Sequence, residues 1–266
     1  MTQLRAIAAG FGCRAASPPA GARAVTFALA VAVAAAWTAL IALDASMSHG
    51  SAAMSSMPGM PGMSPAGSAG RSMLASAGVA GGSGLWVLMV VAMMLPSTLP
   101  ALRHVGANSL RWRRRRAMSL FVAVYVTTWS VVGIVFVLAV SAWPVLAAPV
   151  AGALALALAA AWQLTPHKRR ALADCHRSAP LAPRGWQADW GVIRFAARNG
   201  LACLRSCWAM MLVMGLASSM VFWMVTLAGI VVLEKRWHRP RQAARAAAWL
   251  LAAGAFVAAV SALTPA

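Results

Sequence analysis

The chain has 266 residues, 61% of them hydrophobic, with 23 Lys and Arg against four acids and a formal net charge of +19. A mean hydropathy of +0.74 and recurring apolar runs of bilayer-crossing length exclude a soluble enzyme built around a large core. The basic residues flank those runs without an aromatic-basic binding motif, which excludes nucleic acid as a partner and leaves topology signals and contacts with anionic lipid heads.

Residues 1–24 are rich in Ala, Gly and Pro and carry Arg5, Arg14 and Arg23; they read as a flexible cytoplasmic N-terminus. Val25 to Leu43 is the first apolar run and is long enough to span. Ala42-Leu-Asp-Ala45 offers small residues for signal-peptide cleavage, but the run's length and its long leader favour an uncleaved anchor. Residues 44–81 are rich in Met, Ser, Gly and Pro and have little reason to fold alone. They form an external loop holding Met47, His49 and the series Met54-x-x-Met57-Pro-Gly-Met60-Pro-Gly-Met63.

A second span covers about 83–101. The basic run from Arg103 to Arg116 then fixes the cytoplasmic side, which puts the Met loop outside and the N-terminus inside. Spans three and four cover about 118–141 and 146–164, joined by a short external turn at Trp143-Pro144 and Pro149. Residues 165–200 form a basic cytoplasmic loop in which Trp186 and Trp190, four apart, suit a short interfacial helix.

Residues 201–233 exceed the roughly 20 residues that one span needs. A single crossing would also put Lys235, Arg236, Arg239, Arg241 and Arg245 outside, against the charge rule. Two short helices meeting near Gly215–Ser219 avoid this. A last span, about 243–262, completes an all-α polytopic transmembrane bundle of about seven spans, with six as the alternative. Residues 25–262 form the membrane domain, all-helical because lipid tolerates only closed backbone hydrogen bonding.

Soft ligands stand out within this frame. Cys203, Cys207, Met210 and Met214 recur at spacings of four, three and four, one stripe of a helix, with Met211 beside it. In the second span Trp86, Met89, Met93, Pro96 or Ser97, and Pro100 share a face, with Met94 adjacent. Proline there frees backbone carbonyls in mid-membrane, as in the broken helices of transporters. Thiolates and thioethers select Cu(I) over Mg, Ca or Mn. Cys175, with neighbouring His176, lies in the loop just before, and a fold-back would make it a third thiol beside Cys203 and Cys207. The external Met54, Met57, Met60 and Met63 suit an oxidising space, since thioethers form no disulfides and need no deprotonation.

The plain alternatives are that Met fills packing gaps, Cys is a small buried hydrophobe, and the Met loop is a spacer. Lys168 and the Glu234-Lys235 pair read as interface charges, with an Arg as partner for Glu234. The four cysteines, Cys13 included, are too unevenly spaced for a secreted disulfide framework. No paired carboxylates, nucleophile elbow, phosphate loop or heme-attachment motif occurs.

The block Trp86-x-x-Met89-x-x-Ala-Met-Met-Leu-Pro-Ser97-x-x-Pro100 resembles a bacterial family of uncharacterised, predicted metal-binding integral membrane proteins. The resemblance continues through Thr165-Pro-x-Lys168, Cys175-x-Arg177, Cys203-Leu-x-x-Cys207-Trp-Ala-x-Met211, Trp223-Met224 and Glu234-Lys235, over about residues 25–262. It implies a multi-span helical protein of the bacterial inner membrane with a metal site and no established reaction. The chain departs from the pattern at Ala171 and Ser206, where similar members carry Cys, and near Val221, where they carry Asn. That weakens a family site here or reduces it to Cys175, Cys203 and Cys207.

The resulting expectation is a membrane protein that binds Cu(I) and relays it across the bilayer, in a direction the sequence does not fix, along the Met loop, Met89, Met93 and Met94, then Met214, Met211 and Met210, and Cys207, Cys203 and Cys175. The alternative is a non-transporting assembly or scaffold protein for a metalloprotein. Either reading has the lipid bilayer as surroundings and a metallochaperone or cuproenzyme as partner. A membrane redox enzyme is a third reading. The lack of a Cys-x-x-Cys or an acid–base pair counts against it.

Overall fold

The computed structural model describes residues 20–55, 77–143, 149–175, 177, 179–182, 184–216, 220–236 and 240–263. Cys13, Met57, Met60, Met63, His176 and residues 217–219, where the two short helices are expected to meet, lie outside them, and the side chains of Met47 and Met54 are likewise not described. The described regular elements are helical. They are α1 (Ala20–Ser55), α2 (Gly78–Met89), a π-helical turn (Val90–Met94), a 3-10 turn (Pro96–Thr98), α3 (Leu99–Asn108), α4 (Arg114–Ala142) and α5 (Pro149–Leu164). After these come α6 (Pro166–Cys175), α7 (Trp186–Leu216), α8 (Met220–Arg236) and α9 (Pro240–Leu263).

Local chemistry sets many of these boundaries. Pro149, Pro166 and Pro240 open α5, α6 and α9, where the missing N–H costs nothing and the fixed φ is already helical. Gly185, at φ +76°, lets the chain turn into α7, a conformation most other residues avoid. Within α7, Gly191, Gly200 and Gly215 do not interrupt the helix, since a glycine costs only about 1 kcal/mol there. The interfacial helix expected around Trp186 and Trp190 is therefore the first turns of the long α7, not a separate element.

Four helical stretches are long and apolar enough to cross a bilayer: Arg23–Ser46, Arg114–Ala142, Trp186–Leu216 and Gln242–Leu263. Two bent pairs, Gly78–Met94 with Pro96–Asn108 at 42° and Val150–Leu164 with Pro166–Cys175 at 75°, raise the number to six. The second of the two short helices expected in 201–233 is α8, 17 residues from Met220 to Arg236, near the short limit for crossing a hydrocarbon core about 30 Å thick; its apolar stretch Val221–Glu234 is shorter than the other candidates. Large apolar side chains face outward from the bundle: Phe27, Val31, Val135, Leu154, Trp249 and Phe256 are all exposed.

Small residues let the helices approach. The Ala-rich faces of α5 and α9 make the most extensive helix pair, as small side chains do in membranes. Gly133 of α4 lies beneath the Trp86 ring, and a Cβ there would run into it; the Trp86 indole N–H donates to Trp129 O at 3.1 Å. At the basic end, Arg113 and Arg116 both reach Asp189 of α7, at 2.5 and 3.0 Å. The run that reads as a topology signal thus also ties α4 to α7.

The break in the second span is sealed. Pro96 has no N–H to give Ala92 O, its i−4 carbonyl. Trp37 of α1 supplies the missing donor, its Nε1 lying 3.2 Å from Ala92 O. Ser97 Oγ donates to Met94 O at 2.7 Å and Thr98 Oγ1 to Leu95 O at 2.8 Å. The carbonyls expected to be freed for a ligand are therefore spent inside the protein, because an unpaired buried carbonyl is costly. Trp37→Phe keeps an aromatic six-membered ring and removes the donor together with the pyrrole half of the indole. It should destabilise the detergent-solubilised protein by about 1–3 kcal/mol, read as a lower melting temperature. A variant that melts with its parent would show that Ala92 O has another donor.

Candidate metal centre

Helix α7 carries the principal stripe. Cys203, Cys207, Met210 and Met214 are each 2% exposed, which follows from their shared face against α4 and α5. Met211 is buried beside them. From the second span, the π turn inserts one extra residue into the helical repeat, so that Met93 and the adjacent Met94 are both buried, together with Met89. All eight sulfur-bearing side chains belong to one continuous core, against which Cys175 also packs.

Two polar side chains organise the cysteine end. The Tyr125 hydroxyl of α4 donates to Cys203 Sγ at 3.1 Å. Ser206 Oγ bonds Cys203 O at 2.9 Å and lies 3.4 Å from Cys207 Sγ and 3.9 Å from Cys175 Sγ. Cys175, at the end of α6, therefore folds back onto α7 beside Ser206. The 75° bend between α5 and α6 brings it there. Cys175, Cys203 and Cys207 are thiols. Among the described residues no group of three or more His, Cys, Asp or Glu is placed to hold a metal ion. The three thiols gather round Ser206 without forming a closed ligand shell.

The methionine end has its own support. Gln163 Nε2 of α5 donates to Met210 Sδ at 3.7 Å. Lys168 Nζ of α6 donates both to Gln163 Oε1 and to Glu234 Oε1 of α8, the latter at 2.7 Å. Lys168 and Glu234 are 3% and 5% exposed at their side chains. The expectation of interface charges, with an Arg beside Glu234, is corrected: the two form a buried ion pair with each other. Burial requires such pairing, since an isolated charge in an apolar medium is prohibitively costly.

A cavity of about 510 Å³ opens toward the cysteine end. Met93, Tyr125, Cys175 and Cys203 line its sulfur-bearing part, and Arg103, His104, Arg177 and Asn199 also line it. His104 is held in place, with Nε2 donating to Ala179 O at 2.9 Å and Nδ1 accepting from Asn108 Nδ2 at 3.3 Å.

Sequence reasoning missed Tyr125 and Gln163. One signal was available: Tyr125 is the chain's single tyrosine, and a polar group inside an apolar span is a functional candidate in its own right. Thiols and thioethers, with the neutral hydroxyls of Tyr125 and Ser206 beside them and no carboxylate among them, fit a soft monovalent cargo such as Cu(I). No curated protein and no solved structure matches this chain. The sequence model of a family described as PpoB2, copper chaperone, matches residues 83–258, well over half of the chain.

Proposed function

The chain belongs to the PpoB2 copper chaperone family, and from that we propose that it is an integral membrane protein that takes up Cu(I) on Met and Cys sulfurs and passes it to a cuproenzyme. The observation that carries this reading is the common core joining Met89, Met93 and Met94 to the Cys203–Met214 stripe. In this reading Cys203 and Cys207 are the main donors, Cys175 completes the set, and Met210, Met211 and Met214 lead the ion along α7. Met54, Met57, Met60 and Met63 capture copper on the external side. The basic end, with Arg103–Arg116 and residues 165–200, faces the cytoplasm, where thiols stay reduced.

Exchange between donors of similar softness keeps each step nearly balanced in free energy, so the cargo moves without an energy-consuming module. Thiols must lose a proton to bind metal, so loading releases protons while copper stays Cu(I).

Anaerobic loading of the detergent-purified protein tests the proposal. About one Cu(I) per chain should survive desalting, with an all-sulfur first shell by X-ray absorption and little Zn(II) retained under the same treatment. A preference for Zn(II), or nitrogen and oxygen in the shell, would overturn it. A scaffold that holds copper without passing it on is favoured by one observation, the absence of a closed ligand shell among the described residues. That role differs in retaining Cu(I) when an apo cuproenzyme is offered.

A further inference from the structure

The cavity brings two kinds of chemistry to one place. Cys203 and Cys175 are soft exchange partners, while Arg103 and Arg177 bring cationic side chains to the same lining. Among the described residues the ion-pair partner of Arg177 is the exposed Asp174 carboxylate, at 3.4 Å, a pairing of small worth at such a surface. The cavity's size falls within the range of small-molecule sites. Asn199, 8% exposed, adds an amide to the lining. A bare cation would be repelled here, in a chain whose net charge is +19.

We propose that this cavity is a docking vestibule for Cu(I) carried as an anionic complex of a small carboxylate-bearing thiol. Guanidinium groups bind carboxylates through paired N–H donors, which holds the complex beside Cys203. The exchange then balances without redox change. The Cu–S bond to the carrier breaks as a Cu–Sγ bond to Cys203 forms, and the Cys203 thiol proton leaves on the carrier's sulfur. This inference rests on the proposed function and adds the form in which copper is exchanged with the cytoplasm at the cysteine end, an exchange that can run in either direction.

The test compares two Cu(I) donors on the purified full chain: the anionic glutathione complex and the cationic acetonitrile complex. In an Arg103→Gln/Arg177→Gln double variant, loading from the glutathione complex should slow about tenfold, as expected when electrostatic steering of a charged ligand is lost. Loading from the acetonitrile complex should be unchanged or faster, and the final copper content equal to the parent's. Both arginines are exposed, so the fold should tolerate the changes, and the unchanged acetonitrile arm verifies that. Equal slowing with both donors, or no slowing with glutathione, would overturn the vestibule. A parent that takes no copper from either donor would instead remove the proposed function itself.

Discussion

Glu234→Ala should be among the most damaging single substitutions in the chain. It leaves the Lys168 ammonium buried with Gln163 as its only remaining partner among those described. Removing one member of a buried ion pair costs about 3–5 kcal/mol, because the other charge stays uncompensated. The effect should appear as a large fall in melting temperature in detergent. Replacing both partners, as Lys168→Met with Glu234→Met, should restore most of the loss, since an apolar pair of similar volume removes the stranded charge. If Glu234→Ala melts with the parent, the pair is not the bond between α6 and α8 that the geometry describes. The single variant should also loosen Met210, because Lys168 orients Gln163 and Gln163 holds the thioether.

The second large effect concerns cargo. Cys203→Ser combined with Cys207→Ser should lower bound copper at least tenfold, measured by elemental analysis after desalting. Hydroxyl oxygen is a hard and weakly acidic donor where the site needs soft sulfur. Ser is close to Cys in size, so helix content and melting should stay near the parent's, which separates binding from folding. Cys13→Ser, outside the proposed site, should retain the parent's copper. Equal copper in the double variant and the parent would return the stripe to ordinary helix packing.

Some of this was legible in the sequence, for a physical reason in each case. Apolar runs mark spans because a bilayer leaves no other solution for the backbone. The spacing of Cys203, Cys207, Met210 and Met214 fixes a shared face once the segment is helical. Other features depend on partners far away in the chain. Nothing near Glu234 points to Lys168, and nothing near Pro96 points to Trp37, because these bonds exist only after the helices assemble. The π turn at Val90–Met94 belongs to the same class, since a bulge is decided by what packs on it. The length of α7 was hidden for the opposite reason: its basic first half reads as a loop by charge, although no residue between Trp186 and Leu216 is a strong helix breaker. The expectation of two short helices in 201–233 came from length and charge together; the first is the end of the longer α7, and the second is α8.

The helix α1 has one consequence for how copper reaches the protein. It runs from Ala20 to Ser55, 36 residues, about 54 Å at 1.5 Å per residue. A whole bilayer with its headgroups is only about 40–45 Å thick. In the proposed orientation the helix therefore outreaches the membrane, and its excess stands clear of the lipid as a stalk that a copper carrier can meet before it meets the membrane.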